Sequence, residues 1–341
     1  MPPINTAATL KDLPLPPSEK SGWPWTEEIE PLPERLPDGS EWPRISIVTP
    51  NYNYGRFLEE TIRSVLLQGY PNLEYIILDG GSTDNSVEII KKYEKWLTYW
   101  VSEKDSGQPN AINKGIALST GEIFNWLNSD DQLLPGVLSK VSKIWHDNHP
   151  HMIVGETLIV DASSRHVLYH SQPKPPKHPF NLIERGLLGV GMAQPSIFLS
   201  SSLVKEMGCL REDLHYTFDW AFYLKAITLL RSSLKLVTTP TICSRCLSHP
   251  DAKTFDMSLY SKESQGVLKE MMGDFNLLEK IKVDWHIKEI DIHENVNEVI
   301  KDCQNSLKSL VYVLLQNPCA IFSRFFLGAV KQEIFNNKNF Q

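Results

Sequence analysis

The chain has 341 residues, 41% of them hydrophobic and 22% charged, with a formal net charge of -7. That balance suits one large globular domain or two ordinary ones with a sizeable core, and it argues against nonspecific nucleic-acid binding, which needs a basic footprint. Five cysteines, at 209, 243, 246, 303 and 319, follow no disulfide framework and suit a reduced, cytoplasmic setting.

Residues 1–20 lack the basic start and apolar core of a signal peptide. Proline recurs through residues 1–43, which also carry Trp23, Trp25 and Trp42. Proline forbids regular helix there, and the tryptophans predict an extended arm laid over the domain that follows. From residue 44 strands alternate with helices. "ISIVTP" (45–50) is a short β-rich run, and "FLEETIRSVLLQG" places Leu58, Ile62, Val65 and Leu66 at helical spacing before Gly69. "LEYIILDGG" (73–81) is a second strand, and "STDNSVEIIKKYEKW" is a helix opened by capping residues. "LTYWVSE" is a third strand, "GQPNAINKGIALSTGE" a helix ended by Gly121, and "IFNWL" a fourth strand. Continuous apolar strands alternating with helices predict an α/β fold, with a mostly parallel sheet covered on both faces. Beyond residue 150, "MIVGETLIV" and "HVLYH" predict a hairpin, "DLHYTFDWAFYLKAITLL" a helix and "LKLVTTPTIC" a strand. After residue 260 the pattern is helical.

The stretch "EIFNWLNSDDQLLPG" (122–136) ends a buried strand in two adjacent carboxylates, which resist ionising beside one another. Water or a cation would offset that cost. In an open parallel sheet the ligand site lies beyond the carboxyl ends of the strands. These strands end in "TPNYNYG", "LDGGSTD", "SEKDSGQ" and "LNSDD", so the rule predicts that these clusters meet at one crevice. Glycine-rich turns admit a phosphate, and a divalent cation such as Mn²⁺ or Mg²⁺ is the natural intermediary between phosphate and carboxylates. Cys243 and Cys246, with His249 beyond them, are read as strand residues, because no second CxxC completes a zinc site. "HDNHPH" (146–151) is read as a helix–strand junction. No G-x-G-x-x-G follows the first strand, which argues against a dehydrogenase.

The blocks "ISIVTPNYNYGRFLEETIRSVLLQGYPNLEYIILDGGSTDNSVEII" and "DSGQPNAINKGIALSTGEIFNWLNSDD" resemble family 2 glycosyltransferases of the GT-A fold, such as those of bacterial polysaccharide synthesis. The resemblance spans residues 44–250. It implies a catalytic domain over 44–255, flanked by the arm (1–43) and a helical region (256–341). It implies that Pro50, Asn51, Tyr52 and Asn53 line the nucleotide base, that Asp79 reads the base, and that Asp105 and Gln108 lie near the ribose and donor sugar. Asp130 and Asp131 match the metal and ribose ligands, with Asn128 standing where many relatives have an acid. In "SRCLSHPDAKT", His249 and Lys253 fall where they would meet the diphosphate or the metal. Asp219 matches the general base, and Ala221 replaces a second acid found in many relatives. A buried acid among Phe218, Trp220 and Phe222 would cost several kcal/mol without a role.

The implied reaction moves a sugar from a UDP-, GDP- or dTDP-sugar to a hydroxyl of a glycan or lipid-linked acceptor, with inversion and a divalent cation. The rival readings are a nucleotidyltransferase, for which "TPNYNYGRF" is a poor triphosphate loop, and a non-catalytic sugar-nucleotide-binding protein, against which the acid pair and Asp219 both argue. The apolar stretch 309–330, broken by Gln316, Asn317, Pro318 and Arg324, is too interrupted to span a bilayer. It reads as helices packed on the domain or on a second subunit, with an interfacial helix pair at the inner face of the membrane as the alternative.

Overall fold

The computed structural model describes residues 7–173, 192–253 and 257–274. The chain divides into two compact units, Met1–Phe255 and Asp256–Gln341.

The first unit is built on β1 (Ile45–Asn51), α1 (Gly55–Leu66), β2 (Leu73–Asp79), α2 (Ser86–Tyr93), β3 (Tyr99–Ser102), α3 (Gln108–Leu118) and β4 (Ile123–Trp126). β5 (Asp131–Leu133), α4 (Val137–Asn148), β6 (Met152–Asp161), β7 (Val167–Ser171), β8 (Ile197–Ser200), α5 (Ser201–Met207), α6 (Phe218–Leu230) and β9 (Leu236–Ser248) follow. The sheet runs β3-β2-β1-β4-β8-β6-β9-β5, with β7 paired to β6 as the expected hairpin. β1 is parallel to β2 and to β4, and β2 is parallel to β3. Every residue of β1, β2 and β4 is buried, as strands covered on both faces require. β8 and β5 join antiparallel to their neighbours, so the second half of the sheet is mixed. The registers Asn51↔Asp79 and Asp79↔Ser102 bring three strand ends into one row.

Helix packing explains several small residues. α3 lies so close to β1 that a Cβ at Gly115 would stand 2.4 Å from a Val48 methyl. α6 begins at Phe218, five residues later than the apolar pattern predicts, and Asp213, where that pattern starts, pairs with Arg211. The capping expectation for α2 needs correction in detail. Asn85 at its N-cap makes no side-chain cap bond, and Asp84 does the work by accepting from Ser86 N (3.0 Å) and from Gly55 N (2.8 Å). One carboxylate thereby fixes the starts of α1 and α2 together.

The arm packs into the main core through Leu13, Leu36 and Trp42. Arg63 on α1, fully buried, donates to the carbonyls of Pro14 (2.9 Å), Pro24 (3.0 Å) and Trp25 (3.1 Å) and to the Tyr93 hydroxyl (3.1 Å). Its guanidinium lies 5.3 Å from the Trp25 ring centroid. A buried cation is tolerable only when its donors are satisfied, and here carbonyls of the arm satisfy most of them. The Trp23 indole donates to Leu133 O at the end of β5 (2.9 Å).

The second unit contributes α7 (Met257–Glu270) and a 3₁₀ turn, Met271–Asp274. The apolar stretch 309–330, with the membrane and subunit readings that rest on it, lies outside the described residues, as do Cys303 and Cys319. Among the described residues no helix is long and apolar enough to cross a membrane.

Candidate functional site

The two adjacent carboxylates part company. Asp131 is the first residue of β5 and is buried at 1% exposure, while Asp130, one residue earlier in the turn, keeps 17% of its side chain open. Burial first, then the charge of Asp130, pushes the Asp131 carboxyl well above the usual carboxylate range, and Asn128 and the Cys246 thiol pull it partly back. Asp131 Oδ2 accepts from Asn128 Nδ2 (3.2 Å), whereas Asp131 Oδ1 has no hydrogen-bond partner among the described residues. His249 Nε2 lies 3.0 Å from Asp130 Oδ2. The imidazole packs on the Phe57 ring at 4.7 Å and on Tyr54 at 5.6 Å, which fixes its plane.

A cavity of about 500 Å³ opens beyond the strand ends. The tips of β1, β2, β3 and β4 all reach it, as the strand-end rule predicts. Of the residues singled out in the sequence, Pro50, Asn51, Tyr52, Asp105, Gln108, Asp130, Asp131 and Lys253 line its wall. Tyr52 is 59% exposed, an aromatic face available for stacking. Gln108 donates to Asn128 Oδ1 (2.8 Å), joining the start of α3 to the acidic turn. Asp105 Oδ1 accepts from Gly107 N (2.9 Å). Gly80 lies close beside it: a Cβ there would stand 2.8 Å from the Asp105 carboxylate, which would have to shift. Lys253 donates to His215 O (3.1 Å) and sits 5.6 Å from the Phe218 ring, which brings the start of α6 near the cavity.

Four of the singled-out residues stand off the wall. Asp79 is buried at 2%, and its carboxylate accepts from Asn51 Nδ2, Ser82 Oγ, Ser82 N and Ser102 Oγ. Four donors fill its four lone-pair positions. It therefore knits the β1, β2 and β3 tips together in this geometry, with no acceptor left for a base. Asn53 has φ 54 and accepts from Thr83 N (2.8 Å), so it shapes the turn after β1. His249 lies behind Asp130, as its partner. Asp219, in the first turn of α6, is half-buried and accepts from Trp220 N (2.7 Å).

Sequence reasoning missed Gln194. Its Nε2 donates to Trp126 O (2.6 Å), and its Oε1 lies 3.4 Å from Asn128 Nδ2. It sits in a 3₁₀ turn before β8, where no periodic pattern marks it. Neither cysteine of the CxxC suits redox chemistry. Burial pushes the Cys243 thiol up to about 12, and burial with the neighbouring acids raises Cys246 well above its ordinary value. The histidines of residues 146–151 diverge: His146 faces Asp38 (3.5 Å) and His151 Nδ1 accepts from Lys235 N (2.9 Å).

Residues 46–206 match the family described as "Glycosyl transferase family 2". That match spans a little under half of the chain, and over it the chain is similar to family 2 glycosyltransferases. An uncharacterized glycosyltransferase of Rickettsia typhi is 28% identical to this chain over 274 residues, covering 78% of this chain and 84% of the relative. Among solved structures, S. aureus TarS 1-349 in complex with UDP-GlcNAc is 18% identical with a TM-score of 0.58, over 72% of this chain and 71% of that one. The mannosyltransferase PcManGT from Pyrobaculum calidifontis, in complex with GDP-Man and Mn²⁺, is 14% identical with a TM-score of 0.54, over 88% of each chain. At such identities the likeness speaks for the GT-A fold: an α/β domain with a mostly parallel sheet flanked by helices.

The wall of the cavity fits a divalent cation of a particular kind. Among the described residues no three His, Cys, Asp or Glu side chains are grouped to enclose an ion. Asp130 and Asp131 nevertheless present carboxylate oxygens at the wall, and Asp131 Oδ1 is buried without a partner. Two carboxylates with open coordination positions suit a cation that arrives with phosphate oxygens and water. They do not suit an all-protein cage.

Proposed function

We propose that the chain transfers a sugar from a nucleoside-diphosphate sugar to an acceptor hydroxyl, with inversion at the anomeric carbon, in the synthesis of a cell-surface polysaccharide or glycoconjugate. The observation that carries this reading is the joint presence, on one cavity wall at the strand ends, of the acidic turn, Asp105, Gln108 and the exposed Tyr52.

In this reading Tyr52 stacks on the nucleobase, and the backbone at Pro50 and Asn51 flanks it. Asp105 and Gln108 orient the ribose and donor sugar. Asp130 and Asp131 hold Mn²⁺ or Mg²⁺, with His249 fixing the orientation of Asp130. When bound, the cation neutralises charge on the diphosphate leaving group as a Lewis acid. Lys253 adds a positive charge at the same wall. Asp219 takes the acceptor proton as the hydroxyl attacks. The acceptor is a glycan or a lipid-linked sugar.

The donor is tested by incubating the full chain with UDP-, GDP- and dTDP-sugars and Mn²⁺, and measuring release of the nucleoside diphosphate. One nucleotide class should be turned over well above the others, and release should stop with EDTA. Equal, cation-independent release from all of them, or none from any, would remove the reading.

A further inference from the structure

β5 is an edge strand of three residues, and its second neighbour is not a strand. One edge pairs with β9, Asp131 opposite Cys246 and Leu133 opposite Ser244. The backbone groups that face the other way meet side chains. Thr61 Oγ1 on α1 lies 2.7 Å from Asp131 O and 2.9 Å from Ser129 O. Ser64 Oγ accepts from Leu133 N (3.2 Å), and Gln68 Nε2 donates to Leu134 O (3.0 Å). The remaining contact is Trp23 of the arm, whose indole donates to Leu133 O (2.9 Å). Thr61 and Ser64 are buried, so a carbonyl or N–H that lost its partner there would find little water in exchange.

The arm is itself tied to the helix that supplies Thr61 and Ser64. Arg63 sits between Thr61 and Ser64 in sequence and binds the carbonyls of Pro24 and Trp25, the two residues after Trp23. α1 and the turn just after it therefore read the acidic turn with Thr61, Ser64 and Gln68, and α1 grips the arm with Arg63. The arm returns to the same strand through Trp23. These side chains replace the missing neighbour strand and fix the backbone of Ser129, Asp131, Leu133 and Leu134.

We infer that Trp23 and Thr61 are positioning residues for the cation: the arm, which precedes the residues that match the family, completes the seat of the acidic turn. Neither side chain reaches the cavity wall, so their effect falls on the placement of Asp130 and Asp131 and not on nucleotide contacts. The inference rests on the reading of the cavity given above.

The test is calorimetric titration of the full chain with UDP and with GDP, each with MnCl₂ and with EDTA. Two variants are compared with wild type: Trp23→Phe, which keeps a ring and loses the N–H, and Thr61→Val, which keeps the shape and loses the hydroxyl. Thr61→Ser serves as the conservative rescue. For the nucleotide that wild type binds, each variant should weaken affinity about three- to tenfold with Mn²⁺, the worth of one buried hydrogen bond. Affinity in EDTA should change less than about twofold by the same scale, and Thr61→Ser should restore the Mn²⁺ value. If Trp23→Phe does not fold, Thr61→Val alone decides. Unchanged affinity with Mn²⁺, or equal losses with and without it, overturns the inference while leaving the site reading intact. Wild-type binding that ignores Mn²⁺ overturns both.

Discussion

Asp130→Ala should cost the protein most of its cation-assisted nucleotide affinity, on the order of a hundredfold, the equivalent of a few kcal/mol of charge stabilisation. Asp130 is the more open of the two acids and is already oriented by His249 Nε2 at 3.0 Å, so its removal takes away a prepared ligand. Binding in EDTA should hardly change, because the base-facing residues Pro50, Asn51 and Tyr52 lie on other strand tips. The fold should survive, since Asp130 sits in a turn and, among the described residues, its side chain pairs with the His249 imidazole. Asp131→Ala is the contrasting case. That side chain is buried on β5 with its carboxyl pushed well up by burial and by Asp130, so its removal relieves a buried charge and should leave the melting temperature unchanged or raise it. Titration with UDP and GDP, with and without Mn²⁺, alongside thermal melts of both variants, checks the contrast.

Asp219→Asn should lower sugar transfer by a factor on the order of a hundred or more, the usual worth of a positioned general base. Donor nucleotide affinity should stay within about threefold, a fraction of the energy of one hydrogen bond, because Asp219 stands off the wall formed by the strand tips. The amide can still accept from Trp220 N, so α6 should keep its first turn. The neighbouring acids are poorer candidates. Hydrogen bonds from Asn113, Asn110 and Ser106 hold Glu212 below its ordinary range, and Arg211 does the same for Asp213. A carboxylate stabilised in that way is a weaker base. Transfer rates for Asp219→Asn, Glu212→Gln and Asp213→Asn decide among them. A wild-type rate for Asp219→Asn would make that acid structural.

The alternation of buried strands and helices made the α/β sheet legible, because a strand covered on both faces must be apolar throughout. The strand tips and the acidic turn followed from the same pattern, whereas Pro50, Asp105 and Gln108 were singled out by the family resemblance. Side-chain direction was less legible. Asp79 and Asp130 both follow apolar runs, yet one is sealed by four donors and the other faces the cavity. That difference depends on Asn51 and Ser102, which come from two other strand tips. His249 fell near the acids as expected, but the rings of Tyr54 and Phe57 set it behind Asp130. Gln194 and Thr61 carried no signal, and the tryptophans marked a packed arm but not the carbonyl that Trp23 reaches, since each of these side chains acts on a carbonyl far away in sequence and carbonyls are the same at every position.

The most direct test of the central claim is calorimetric titration of the unmodified full chain with UDP, GDP and dTDP, each in Mn²⁺ and in EDTA. The cavity as read here predicts that at least one of the three binds at least about tenfold more tightly with Mn²⁺, or about 1.4 kcal/mol. Binding of none of them, or binding that is the same with and without the cation, would contradict it.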